Sequence, residues 1–195
     1  MSRADQQAQT RAALLAAGTK LFSRRGYHAT TIDEVARLAG FTRGAFYANF
    51  DDKGDLFLAV LEGRWQRDFG QLADALEDAS GDQVPHRISD WMSEVLIGGP
   101  LRRAMAEFAL AAEVSPPHRR RLVANLQTIR DTVADLVRHY RARYSIELAV
   151  DDNTFAIMVT SLVSGFADLT RLDPKATTPD TLTRALSALW IGVQR

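Results

Sequence analysis

Apolar residues along the 195-residue chain recur at intervals of three and four nearly from end to end, the spacing of one face of an α-helix. Alternation of apolar and polar positions, the mark of a half-buried strand, is hard to find. The pattern predicts an all-α fold of about nine helices. The first is expected over about 8–25, with Leu14, Ala17, Leu21 and Phe22 on one face and Gly26 where a helix commonly ends. The second starts at "TTIDE", where Thr31 and Glu34 have capping-box spacing. It buries Ile32, Val35, Ala36 and Ala39 and stops at Gly40. Thr42 caps a short third helix, and Asp51 or Asp52 caps a fourth that runs from Lys53 to about Ser80. Further helices are expected at about 86–97, 101–114, 117–144, 152–172 and 179–193, with Gly98-Gly99-Pro100, Ser115-Pro116-Pro117 and Asp173-Pro174 between them.

The second and third helices, joined by a tight turn containing glycine, make a helix-turn-helix. In that motif the second helix of the pair enters the major groove and turns its N-terminal residues toward DNA. This gives a reason for the composition of "TRGAFYANF" (42–50). Arg43 and Lys53 each stand at the first turn of a helix, against the helix dipole. A cation so placed suits an outside anion: Arg43 a guanine edge or a phosphate, Lys53 a phosphate. Gly44 costs its helix about 1 kcal/mol relative to alanine but lets the backbone approach another surface. Phe46 and Phe50, four apart, are expected to anchor the helix onto Leu14, Phe22 and Ile32, while Tyr47 and Asn49 turn outward.

Charge adds to this picture only when the chain is divided. Net charge is zero overall, but residues 1–53 carry 8 Lys and Arg against 5 Asp and Glu, and the remainder carries 16 against 19. The positive excess lies on the segment expected to meet an anion. With 46% hydrophobic and 25% charged residues the chain is outside the disordered class. It has no cysteine, which excludes disulfides and thiolate metal sites. The start, "MSRADQQAQTRAALL", has no continuous apolar run of the signal-peptide kind. A cytoplasmic protein without membrane contact is expected.

The segment "AALLAAGTKLFSRRGYHATTIDEVARLAGFTRGAFYANFDDKGDLFLAVL" (12–61) resembles the DNA-binding domain of the tetracycline-repressor (TetR) family of bacterial transcription regulators. The resemblance runs without a gap through Phe22, Gly26, Thr30-Thr31, Ala39-Gly40, Gly44, Phe46-Tyr47, Phe50, Lys53 and Leu56-Phe57. It implies that Thr31, Thr42, Arg43, Gly44, Tyr47, Asn49 and Lys53 stand where the family meets DNA. Many members have histidine where this chain has Asn49 and valine where it has Phe41, so no operator preference carries over. The resemblance also implies an N-terminal DNA-binding domain at 1–53 and a helical ligand-binding and dimerisation domain at 54–195.

For the second domain, the residues suggest where those functions lie. Helices 152–172 and 179–193 are apolar over more than one stripe, as helices buried on several sides are. Met158, Leu162, Phe166, Leu186, Leu189 and Trp190 are the candidate dimer contacts. Trp65, Phe69, Trp91, Met92, Leu96, Met105, Phe108 and Phe155 are candidates to line a small-molecule pocket, with Glu107 as its acidic fixing point or as a partner of Arg103. His28, His86, His118 and His139 lack metal-ligand spacing, and no nucleophile motif or phosphate loop is present. No cofactor, metal or enzymatic activity is expected. "HRRR" (118–121) and "RHYRAR" (138–143) read as solvated helix faces. The function expected is a ligand-responsive regulator, a repressor, that binds a palindromic operator as a homodimer and is released by a small molecule. The alternatives are a constitutive DNA-binding protein, or a helical enzyme or carrier whose helix-turn-helix is only a packing unit.

Overall fold

The computed structural model describes residues 2–80, 83–92, 94, 99–113 and 115–192. Among these the secondary structure is helical. The order is α1 (Arg3–Arg25), α2 (Ile32–Ala39), α3 (Arg43–Tyr47), α4 (Lys53–Glu77), α5 (Val84–Met92), α6 (Arg102–Glu113), α7 (Pro116–Tyr144), α8 (Asp152–Leu172) and α9 (Pro179–Gly192). The starts and stops follow local chemistry. Thr31 and Glu34 close the expected capping box on α2, Gly40 ends it in the left-handed region at φ 79°, and Thr42 accepts from the Ala45 N–H. Asp52 caps α4 by accepting from the Asp55 N–H at 2.8 Å. α1 begins earlier than the apolar pattern suggests. Ser2 and Asp5 form a second capping box there, which initiates a polar turn that hydrophobic periodicity does not reveal.

The chain divides into two compact units: Met1–Gln66 with Pro100–Asn125, and Arg67–Gly99 with Leu126–Arg195. α4 and α7 contribute to both. The expected division at 53/54 concerns which residues read DNA, and differs from the boundaries of these compact units.

In the first unit, Leu14 and Phe22 of α1, Val35 of α2, Phe46 of α3, Leu56 and Phe57 of α4, and Ala104 and Phe108 of α6 form one buried core. Phe22 meets Phe57 edge-on at 4.9 Å, and Phe108 lies 5.0 Å from both Tyr27 and Phe57. A polar seam runs along α4. His118 Nε2 is 3.0 Å from Asp52 Oδ1, and Arg121 pairs with Asp55 and, at 3.1 Å, with Glu62. Gly54 makes room for this, since a Cβ there would stand 2.6 Å from the His118 ring. So within "HRRR" only Arg119 and Arg120 face solvent; His118 and Arg121 are turned to the carboxylates of α4.

In the second unit, Val133 and Val137 of α7, Phe155, Val159, Val163 and Phe166 of α8, and Leu182 and Leu186 of α9 form one core. A smaller cluster gathers Leu72, Leu76, Ala79, Val84 and Tyr140. The phenols of Tyr140 and Tyr144 donate to the Leu76 and Ala79 carbonyls, each at 2.7 Å, the first satisfying part of the open carbonyl end of α4 and the second the turn that follows it.

Candidate nucleic-acid interface

The α2–α3 pair is built by one tight turn. Gly40 carries the left-handed backbone, and the Phe41 N–H donates to the Ala36 carbonyl at 2.9 Å, closing the α2 terminus. α3 has only five residues, too few to hold its shape without packing. Phe46 and Phe50, both buried with ring centres 5.7 Å apart, fasten it to the core, as the four-residue spacing predicts. Arg11 of α1 adds a polar fastening: Nη1 donates to the Asn49 carbonyl at 2.8 Å, and the guanidinium lies 4.2 Å over the Phe50 ring. Sequence reading passed over Arg11, because a basic residue on a mostly polar helix gives no sign of which neighbour it meets.

The face α2 and α3 leave to solvent carries Thr31, Thr42, Arg43, Gly44 and Tyr47, all exposed. Arg43 Nη1 donates to both oxygens of Asp33, at 3.2 and 3.3 Å, and Nη2 donates to the Tyr47 hydroxyl at 3.3 Å. The Tyr47 hydroxyl, followed by the Asp33 carboxylate, pushes the Arg43 pKa further up. These bonds aim the guanidinium and the phenol as one group, yet both ends remain in water, so an external anion can exchange with Asp33 at low cost. Tyr47 is 47% exposed and turns outward as expected.

Two expected contacts take other positions. Asn49 is half-buried rather than outward: its Nδ2 donates to the Ala45 carbonyl at 2.8 Å, and its Oδ1 is enclosed without a hydrogen-bond partner. The amide bonds back to the helix it follows, a local side-chain-to-backbone bond common for asparagine. Lys53 also turns inward. Its Nζ donates to the carbonyls of Tyr27 and Thr30, both at 2.9 Å, with His28 O at 3.4 Å, and lies 4.4 Å over the Tyr27 ring. Burial lowers the Lys53 pKa, with the Glu107 carboxylate acting against that. Burial and the nearby Asp52 charge push the Tyr27 phenol up to about 12, so it stays neutral beneath the ammonium. The cation at the start of α4 thus has the α1–α2 loop as its partner.

Gly44 sits in open space: a Cβ there would meet only the Thr42 hydroxyl, at an ordinary 3.7 Å. The fold itself therefore accepts Gly44→Ala, which favours the helix by roughly 0.5–1 kcal/mol. If the bare backbone is what a duplex approaches, the added methyl will weaken binding about tenfold. Thermal melting and a duplex titration on the same variant check both halves.

The candidate pocket residues are distributed as follows. In the first unit Phe108 is fully buried in the aromatic core, Trp65 and Met105 pack against that core, and Glu107 lies under the α1–α2 loop bonded to Arg103 at 2.8 Å. In the second unit Phe69 and Trp91 pack at 5.3 Å, the Trp91 indole donates to the Asp68 carbonyl, and Phe155 is buried against Trp190. Leu96 and the side chain of Met92 lie outside the described residues. Of the candidate dimer contacts, Phe166 and Leu186 are inside their own core, and Met158, Leu162, Leu189 and Trp190 pack against it half-buried. The large apolar residues that α8 and α9 leave uncovered, among the described residues, are Ile157, Leu169, Leu172 and Ile191. Among the described residues no group of three or more His, Cys, Asp or Glu is placed to hold a metal ion, and no helix is long and apolar enough to cross a membrane.

Comparison with known proteins is consistent with this geometry. Residues 14–60 match the family model described as bacterial regulatory proteins, tetR family. Over 54 residues the chain is 44% identical to the HTH-type transcriptional repressor BepR of Brucella suis, covering 28% of this chain and 26% of that protein. Over 58 residues it is 47% identical to the HTH-type transcriptional regulator AcrR of Shigella flexneri, covering 29% and 27%. The match thus spans about a quarter of the length of these curated relatives. A solved structure of a presumed transcriptional regulator from Saccharomonospora viridis, in complex with choline, aligns over 96% of this chain and 99% of its own, at a TM-score of 0.74 and 18% identity. At that identity the likeness is one of fold.

Proposed function

We propose that this chain, whose residues 14–60 match the tetR family of bacterial regulatory proteins, is a DNA-binding transcriptional regulator, a repressor released from its operator by a small molecule. Residues 1–53 read the DNA, and 54–195 carry the dimerisation and effector functions. The observation that carries the reading is the exposed α2–α3 face, where Arg43 and Tyr47 are held together beside the open backbone of Gly44. Arg43 reads a guanine edge or holds a phosphate, Tyr47 and the hydroxyls of Thr31 and Thr42 bond the backbone, and Gly44 admits the duplex. Asn49 and Lys53 act from behind, fixing α3 and the α1–α2 loop. A second copy is needed because one such head binds weakly, whereas two read half-sites about 34–36 Å apart. Ile157, Leu169, Leu172 and Ile191 offer α8 and α9 a surface for that copy. The choline bound by the Saccharomonospora viridis protein supports an effector of small-molecule size, held in the cytoplasm where operator DNA is.

The test is a titration of the 195-residue chain against a duplex selected from a random pool, at several salt concentrations. Phosphate contact by a dimer predicts log K falling linearly with log salt, with a slope of about −0.9 per phosphate neutralised. Sedimentation at the working concentration should give two chains per particle. Flat salt dependence with every duplex, from a confirmed dimer, would remove the reading.

A further inference from the structure

We infer that Glu107 of α6 is a positioning residue for DNA recognition, holding the α1–α2 loop by that loop's own backbone; the inference rests on the DNA-binding reading above. The Glu107 Oε2 accepts from the His28 N–H at 2.9 Å, and the backbone N–H of His28 foremost, with Arg103 and the Tyr27 backbone adding to it, holds the carboxyl below its usual pKa. Arg103, one helical turn earlier, donates to Oε1 at 2.8 Å and so fixes which way the carboxylate faces.

Gly26 makes the approach possible. It has φ 83°, and a Cβ there would stand 2.7 Å from both Glu107 oxygens. Any side chain at that position would meet a charged group as well as backbone strain. On the carbonyl side the same loop is held by Lys53, through Tyr27 and Thr30, while the buried Thr30 hydroxyl donates to the Gly26 carbonyl at 2.8 Å. Loop 26–30 is therefore clasped from both faces: its N–H groups by an anion on α6, its carbonyls by a cation on α4.

The neighbouring Phe108 explains why a carboxylate is needed. Phe108 is fully buried against Tyr27 and Phe57, and apolar contact of this kind holds surfaces together without fixing how they slide. The hydrogen bonds of Glu107 are directional and set the register. α2 begins two residues after the loop, so the placement of α2, and of the α3 turn behind it, follows that register. α6 lies outside 1–53, yet through Glu107 it reaches into the reading head 79 positions earlier in the chain. A change in α6 would be felt there directly.

The experiment uses the full chain and a labelled duplex of about 30 base pairs selected against the wild type, long enough for two half-sites a helical turn apart. Glu107→Ala should speed amide exchange at Tyr27 and His28 at least about tenfold, leave the interior amides of α1 and α4 unchanged, and weaken duplex binding about tenfold, within the usual range of coupling between sites. Glu107→Gln keeps one acceptor oxygen but brings N–H against N–H, and should give a smaller loss of both. Gly26→Ala should cost less stability in the Glu107→Ala background than in the wild type. Faster exchange at the loop with unchanged affinity would overturn the positioning role. So would a rise in exchange throughout the first unit, which would make Glu107 a general support of the core. A wild type that binds no duplex in a salt-sensitive way removes the DNA reading and this inference with it, and is told apart because the failure precedes any substitution.

Discussion

Phe46→Ala is expected to abolish operator binding although Phe46 faces the protein interior and touches no DNA. The side chain is fully buried in the first core, and removing an aromatic ring from such a site costs about 3–5 kcal/mol. Against a typical domain stability of about 5–15 kcal/mol that loss is large, and it falls on a weak element. α3 is five residues long, well below the length at which a helix is stable by itself. Its buried hold on the rest of the unit is Phe46 and Phe50, with the Arg11 bond to the Asn49 carbonyl beside them. With Phe46 gone, the N-terminal turn that carries Arg43 keeps only the water-exposed pair of Arg43 with Asp33, which is worth little. Amide exchange over 43–50, a melting curve and a duplex titration should all move together. Retained affinity in a variant whose α3 amides exchange freely would show that another element reads the DNA.

Elements whose cause is local were legible in the sequence. Thr31 and Glu34 predict the start of α2, Gly26 and Gly40 predict the two stops, and the four-residue step from Phe46 to Phe50 predicts which aromatics go inward; each rule involves residues within about one turn of one another. What escaped was contact with the main chain at a distance. The partners of Lys53 are carbonyls 23 and 26 residues earlier, and the partner of Glu107 is an N–H 79 residues earlier. Every residue has a carbonyl, and nearly every one an N–H, so such a partner leaves no trace in residue identity. A charged residue at the wrong end of a helix thus has two readings, an outside anion or an inside carbonyl, and Lys53 took the second.

The candidate dimer face illustrates a different difficulty. α8 and α9 are apolar over most of their circumference, and periodicity alone does not say which stripe the chain covers with itself. Phe155, Val159, Val163, Phe166, Leu182 and Leu186 are covered, whereas Ile157, Leu169, Leu172 and Ile191 are not. Asn49 differs again. Its outward placement assumed that a polar side chain at a helix end seeks solvent, but the Ala45 carbonyl one turn back was the nearer partner.

The position of Lys53 leads to a separation of effects that the isolated sequence does not suggest. Lys53→Met keeps the apolar stem and removes the ammonium, taking a charged donor from the Tyr27 and Thr30 carbonyls and the cation from the Tyr27 ring. Hydrogen bonds from a charged group contribute about 1.5–3 kcal/mol, so the melting point should fall clearly. The salt dependence of DNA binding should keep its slope, since no phosphate contact has been lost. Arg43→Ala should behave in the opposite way. Its contacts to Asp33 and Tyr47 lie in water, so melting should barely change, while affinity for the selected duplex falls by about tenfold or more if a guanine is read. The two substitutions therefore distinguish a cation that builds the reading head from one that uses it. A Lys53→Met protein that melts like the wild type and loses about one unit of salt slope would show the ammonium leaving the loop for a phosphate when DNA binds.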